Sequence, residues 1–120
     1  MTAACLTLLA SARRPLWPWT GHGTGLLAEA FPAAQLAQWN LPHAGYNGNS
    51  TSAARNRQEV LAGLRARIQL GVEAEAQVAS SADALDAVLC GFAGVGITRR
   101  SLASTPDQAV LAEGWIAVHS

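Results

Sequence analysis

The sequence predicts an α/β chain dominated by helices. Three observations carry that expectation: an amphipathic pattern over residues 52–70, a second apolar helical pattern opening at "SSADALDAVLCGF" (residues 80–92), and two short apolar runs, "GLLAEAF" and "GWIAV", that read as strands. With 120 residues, half of them hydrophobic and 13% charged, the chain is expected to fold as a single domain over residues 1–120. Two short strands make an unusually small sheet for an independent α/β domain, which suggests that part of the sheet is missing.

Residues 2–13 read as a short apolar helix. The run ends in an Ala-Ser-Ala that mimics a secretory cleavage site, but no positive charge precedes it and Arg13-Arg14 follow it, the reverse of a leader's usual order. It is also too short to span a bilayer. The prolines and glycines of "RRPLWPWTGHGTG" make a loop; its "GHGTG" lacks the lysine and Ser/Thr of a phosphate-binding P-loop and reads as a plain turn. "GLLAEAF", residues 25–31, reads as a buried strand with Glu29 near its end. Pro32 closes it and fits the first turn of a short helix, "PAAQLAQWN". "LPHAGYNGNSTS" is turn chemistry throughout, and its Asn-Gly lacks the alternating flanks of a hairpin.

In the helix expected over 52–70, Val60, Leu61, Leu64 and Ile68 share one face, while Arg55, Glu59, Arg65 and Gln69 occupy others. Ser50, Thr51 or Ser52 can cap its start, and Gly71 is a natural stop. Residues 72–79 fit either more helix or a connector. The next helix, capped by Ser80 or Ser81, carries Leu85, Val88, Leu89 and Phe92 and is expected to be largely buried, with Gly94 and Gly96 weakening its end. A polar loop with Pro106 leads into "GWIAV".

Net charge is zero, so no global electrostatic case for nucleic-acid or membrane binding exists. All eight basic residues are arginine. The pairs Arg13-Arg14, Arg55/Arg57, Arg65/Arg67 and Arg99-Arg100 can make local phosphate contacts, although solvated helix faces and turns are the simpler reading. Cys5 and Cys90 form neither a disulfide framework nor a zinc spacing, sit in apolar patterns, and read as core residues in a reducing, cytoplasmic setting. His22, His43 and His119 show no metal-ligand spacing.

The carboxylates are more informative. Asp83 and Asp86 lie three residues apart on one helix face, and Glu29 ends a strand. Mg²⁺ takes oxygen ligands from one or a few carboxylates and keeps several waters, so these acids are candidate metal ligands. Asp83 also suits the first helical turn as a complement to the helix dipole; Asp86 lies deeper and is harder to explain that way.

Three segments in order, "AEAFPAAQLAQWNLPHAGYNG", "SADALDAVLCGFAG" and "EGWIAV", resemble the C-terminal part of the bacterial and archaeal predicted-nuclease family catalogued as domain of unknown function 429. The similarity runs over residues 25–118. It implies a ribonuclease-H-like fold truncated at its N-terminal strands, and a metal-dependent nuclease chemistry using Mg²⁺ or Mn²⁺. By position, Glu29 would be the strand-end acid, and Asp83 and Asp86 the late-helix pair, the three together serving as metal ligands and catalytic acids. Phe31 replaces a family tyrosine, and Asn47 stands where a lysine is common. The family's first strand, with its aspartate, has no counterpart downstream of Met1, so phosphodiester hydrolysis is expected to be impaired or absent. The partners implied are nucleic acid and either a second copy or a fragment that completes the sheet. A non-catalytic interaction protein is the alternative, because an incomplete sheet leaves an edge for pairing.

Overall fold

The computed structural model describes residues 3–12, 27–104 and 115–120. The elements are α1 (Ala3–Ala12), β1 (Glu29–Ala30), α2 (Pro32–Gln38), α3 (Thr51–Leu64), α4 (Val72–Ser80), α5 (Ala82–Arg99) and β2 (Ile116–Ala117). Helices dominate, and the two strands form a small parallel sheet, so the chain is helix-rich α/β. It divides into two compact units, Met1–Glu29 with Thr105–Ile116, and Ala30–Ser104 with Ala117–Ser120. The first holds α1 and the leading residue of each strand; the second holds α2 to α5 and the hydrophobic core. The expected loop over "RRPLWPWTGHGTG", His22, the side chain of Cys5 and the loop at Pro106 lie outside the described residues.

Of the expected buried strand over 25–31, residues 25 and 26 lie outside the described residues, and the rest is more open than its apolar sequence suggests. β1 has two residues, and Glu29 is exposed. Pro32 then opens α2 as expected, its fixed φ and missing N–H costing nothing in the first turn. Asn40, at φ 55°, ends the helix: its N–H donates to the Ala37 carbonyl (3.0 Å) and the Leu41 N–H to the Leu36 carbonyl (2.9 Å). This is the paired closure of a Schellman turn, at a position where asparagine tolerates left-handed backbone.

In α3, the Ser50 hydroxyl caps the start by accepting the Ala53 N–H at 3.1 Å. The helix stops at Leu64, short of the expected Gly71, although Arg65-Ala66-Arg67 are good helix formers. Tertiary contacts override propensity here: Ile68 and Leu70 turn in to pack on the core. Gly71 instead precedes α4, which resolves the ambiguous residues 72–79 as helix. Arg65 donates from Nε and Nη2 to the two carboxylate oxygens of Glu75, each at 2.9 Å, tying the end of α3 to the first turn of α4.

The Ser81 hydroxyl caps α5 by accepting the Ala84 N–H at 3.3 Å. This helix is one-sided rather than largely buried: Leu85, Leu89, Ala93 and Gly96 face inward, while Asp83, Cys90, Gly91 and Val95 are exposed. Gly94 and Gly96 do not end it. It runs on to Arg99, and Gly96 lets Leu102 approach so closely that an added Cβ would lie 2.9 Å from its Cδ2.

The core joins Leu36, Trp39, Tyr46, Val60, Leu61, Leu64, Val78, Leu85 and Leu89. Each fully buried aliphatic side chain contributes about 1.5–3 kcal/mol. Trp39 meets Phe92 edge-on at 4.8 Å, and the Arg67 guanidinium lies 4.6 Å from its ring centroid. The buried Gln35 amide clamps the backbone of His119, donating to its carbonyl (2.9 Å) and accepting its N–H (2.7 Å). A side chain here does what a neighbouring strand would do, and it fixes the segment after β2 to α2.

Candidate functional site

The feature that ties one of the expected acids, Asp86, to the rest of the fold is the loop between α2 and α3. It contains Gly45 and Gly48 at positive φ, and between them Tyr46 turns inward and is buried. The Tyr46 hydroxyl donates to Asp86 Oδ1 at 3.0 Å. Its backbone carbonyl accepts from Arg57 Nη1 at 2.6 Å. The same guanidinium group donates to the Gly48 carbonyl (2.9 Å) and, through Nε, to the Ala79 carbonyl (2.9 Å) in the last turn of α4. Arg57 is 3% exposed. It is therefore an internal strut that joins α3, the loop and the C-terminal end of α4, where a cation also complements the helix dipole. This corrects the expectation of a solvated Arg55/Arg57 pair; Arg55 alone is exposed.

Asp83 and Asp86 lie on adjacent turns of α5, as their spacing requires. Asp83 is exposed in the first turn, and its side chain makes no hydrogen bond or ion pair among the described residues. Asp86 is partly buried. Burial holds its carboxyl above the ordinary carboxylate range; the Tyr46 hydrogen bond opposes that shift, and the Asp83 charge adds to it. The Tyr46 phenol is pushed up to about 12 by burial, by its bond to Asp86 and by the Asp86 charge, so it is a proton donor throughout the neutral range.

Glu29 lies in the other unit, exposed on β1, and its side chain makes no hydrogen bond or ion pair among the described residues. Among those residues no three His, Cys, Asp or Glu gather as a group able to hold a metal ion. Cys90, one turn beyond Asp86, is exposed rather than a core residue. Its thiol is raised by partial burial and by Asp86, which keeps it protonated and unreactive.

Tyr46 and Arg57 are the residues that spacing arguments on the acids overlook. Arg57 does carry a signal: Ala53, Arg57, Val60, Leu61 and Leu64 follow the i, i+4, i+7, i+8, i+11 spacing of the buried face. Tyr46 is an aromatic residue set among turn formers, which marks a loop anchored inward. Among the described residues no single helix is long and apolar enough to cross a membrane.

No curated protein and no solved structure matches this chain. Residues 3–110 match a family model, a span that starts upstream of the 25–118 stretch carrying the resemblance. That match takes in most of the sequence, from α1 through α5, and the chain therefore belongs to the family described as protein of unknown function (DUF429).

Proposed function

We propose that this chain is a nuclease-like, divalent-cation-binding protein in which Asp83 and Asp86 hold one hydrated Mg²⁺ or Mn²⁺, with phosphodiester hydrolysis impaired or absent. The observation that supports this reading is the state of Asp86: a partly buried carboxylate beside a like charge, with no cationic side chain paired to either acid among the described residues. A hard cation relieves both the burial cost and the repulsion. The donor set fits one such ion, which takes one or two carboxylates and keeps its remaining waters. It does not fit a two-ion centre, which needs further ligands bridging ions about 3.5–4 Å apart. A bound cation would supply Lewis-acid and water-activating chemistry; the protein's part is to hold it. A ribonuclease-H-like fold, a nucleic-acid partner, a cytoplasmic setting and Glu29 as a further ligand rest on the family resemblance and sequence alone.

Thermal unfolding followed against Mg²⁺ or Mn²⁺ tests the reading. Binding to the folded state alone stabilises by about 1.4 kcal/mol at ten times Kd, and the upward shift in Tm is expected to vanish in Asp86→Ala. No shift at millimolar cation sinks it. A second reading, a non-catalytic protein that associates with a second copy or a partner fragment, draws on the two-residue strands and on Phe31, 53% exposed beside β1. A monomer in light scattering counts against self-association.

A further inference from the structure

We propose that Ser101 and His119 are a nucleophile–base pair that takes the acyl group from activated esters and passes it to water. Neither residue belongs to the acidic pair, and this role is independent of the cation reading. Both side chains are half-buried and lie in the unit that holds the core. Ser101 Oγ is 3.2 Å from His119 Nε2, and His119 Nδ1 is 2.7 Å from the Ser120 main-chain oxygen. That oxygen can only accept, so in the neutral imidazole Nδ1 carries the proton and Nε2 is left to accept from the Ser101 hydroxyl. A hydroxyl bonded to a ring nitrogen whose tautomer is fixed from behind is the arrangement that activates a serine.

The backbone holds the pair in register. Arg100, at φ 55°, ends α5, and the Ser101 N–H turns back to donate to the Gly96 carbonyl at 2.9 Å. The Ser120 N–H donates to the Ser101 carbonyl at 2.9 Å, within the antiparallel bridge of Leu102 and His119. The Gln35 amide grips both main-chain groups of His119, and the rings of Phe92 and Trp39 meet the imidazole edge-on at 5.8 and 6.4 Å. The Leu102 N–H, next in the chain after the nucleophile, makes no hydrogen bond among the described residues and is the donor available to an acyl oxyanion. One such donor, and a main-chain oxygen rather than a side-chain carboxylate behind the imidazole, suit esters with good leaving groups and not amides. Ser101 Oγ bonds to the acyl carbon while its proton passes to His119 Nε2. The ester C–O bond then breaks, the leaving oxygen keeping the bonding pair and taking the proton from Nε2. Water then adds to the acyl carbon and gives a proton to Nε2, and the bond to Oγ breaks as Oγ recovers that proton.

The full chain is treated with a fluorophosphonate, in which bonding of a serine Oγ to phosphorus expels fluoride, and the modified serines are mapped by peptide mass spectrometry. Ser101 is expected to be modified first, and modification is expected to slow by about a hundredfold or more in His119→Gln. Release of p-nitrophenol from p-nitrophenyl acetate is expected to be faster in the parent chain than in Ser101→Ala. Near-ultraviolet circular dichroism establishes that each variant is folded. Should His119→Gln fail to fold, the parent decides, with exposed Ser52 and Ser80 as internal references. Modification of Ser101 at least about tenfold faster than either supports the pair, and a smaller preference overturns it. An unmodified Ser101 in the folded parent, undiminished modification in folded His119→Gln, or equal p-nitrophenol release by parent and Ser101→Ala also overturns it. The Ser101–His119 contact is then structural only, and the cation reading is unaffected.

Discussion

Tyr46 and Asp86 are both raised by burial, and each leaves a separate mark on stability, one in alkali and one in acid. The phenol is raised from its ordinary 10 to about 12, so the folded state holds that proton more tightly than the unfolded state. Its stabilising contribution is complete below pH 10 and is lost as pH climbs through 12. Urea midpoints measured across that window are expected to fall more steeply in the parent chain than in Tyr46→Phe. Equal slopes would mean that the hydroxyl is not bonded as described. Asp86 is also raised, by burial above all, so the folded state takes up its proton first and this group favours folding as pH falls through its folded value. Asp86→Asn keeps an acceptor for Tyr46 and removes the charge repulsion. Its stability is therefore expected to match the parent within about 0.5 kcal/mol, the range of substitutions that break no buried contact.

The helices and their caps follow local rules, whereas their ends and their buried polar residues do not. Pro32 opening α2, Ser50 capping α3 and Ser81 capping α5 are all legible in the sequence, because each acts through backbone groups a few residues away. The stop of α3 at Leu64 is not, since it depends on Ile68 and Leu70 reaching a core assembled from distant elements. Nor are the three carbonyls gathered by Arg57, which come from residues 46, 48 and 79. Removing that side chain leaves buried acceptors unsatisfied in a loop and at a helix end together. Arg57→Ala is expected to cost about 3 kcal/mol or more, checked by chemical unfolding. Arg55→Ala, two residues away and exposed, is expected to change stability by less than about 0.5 kcal/mol.

For the whole molecule, the helix-rich α/β character and the family were legible in the order of short motifs, and both are borne out. The candidate acids were legible as a pair on one helix face. What surrounds them was not: the Tyr46 bond that engages Asp86 spans 40 residues of sequence, and spacing within α5 carries no trace of it. Cation binding at that face is the central claim. Paramagnetic broadening of assigned backbone amides by substoichiometric Mn²⁺ locates the ion directly. Residues 83–87 and 45–47 are expected to broaden first, and Asp86→Asn to abolish the effect. Broadening centred elsewhere, such as at Glu73 and Glu75 on α4, or no broadening at all, would contradict it.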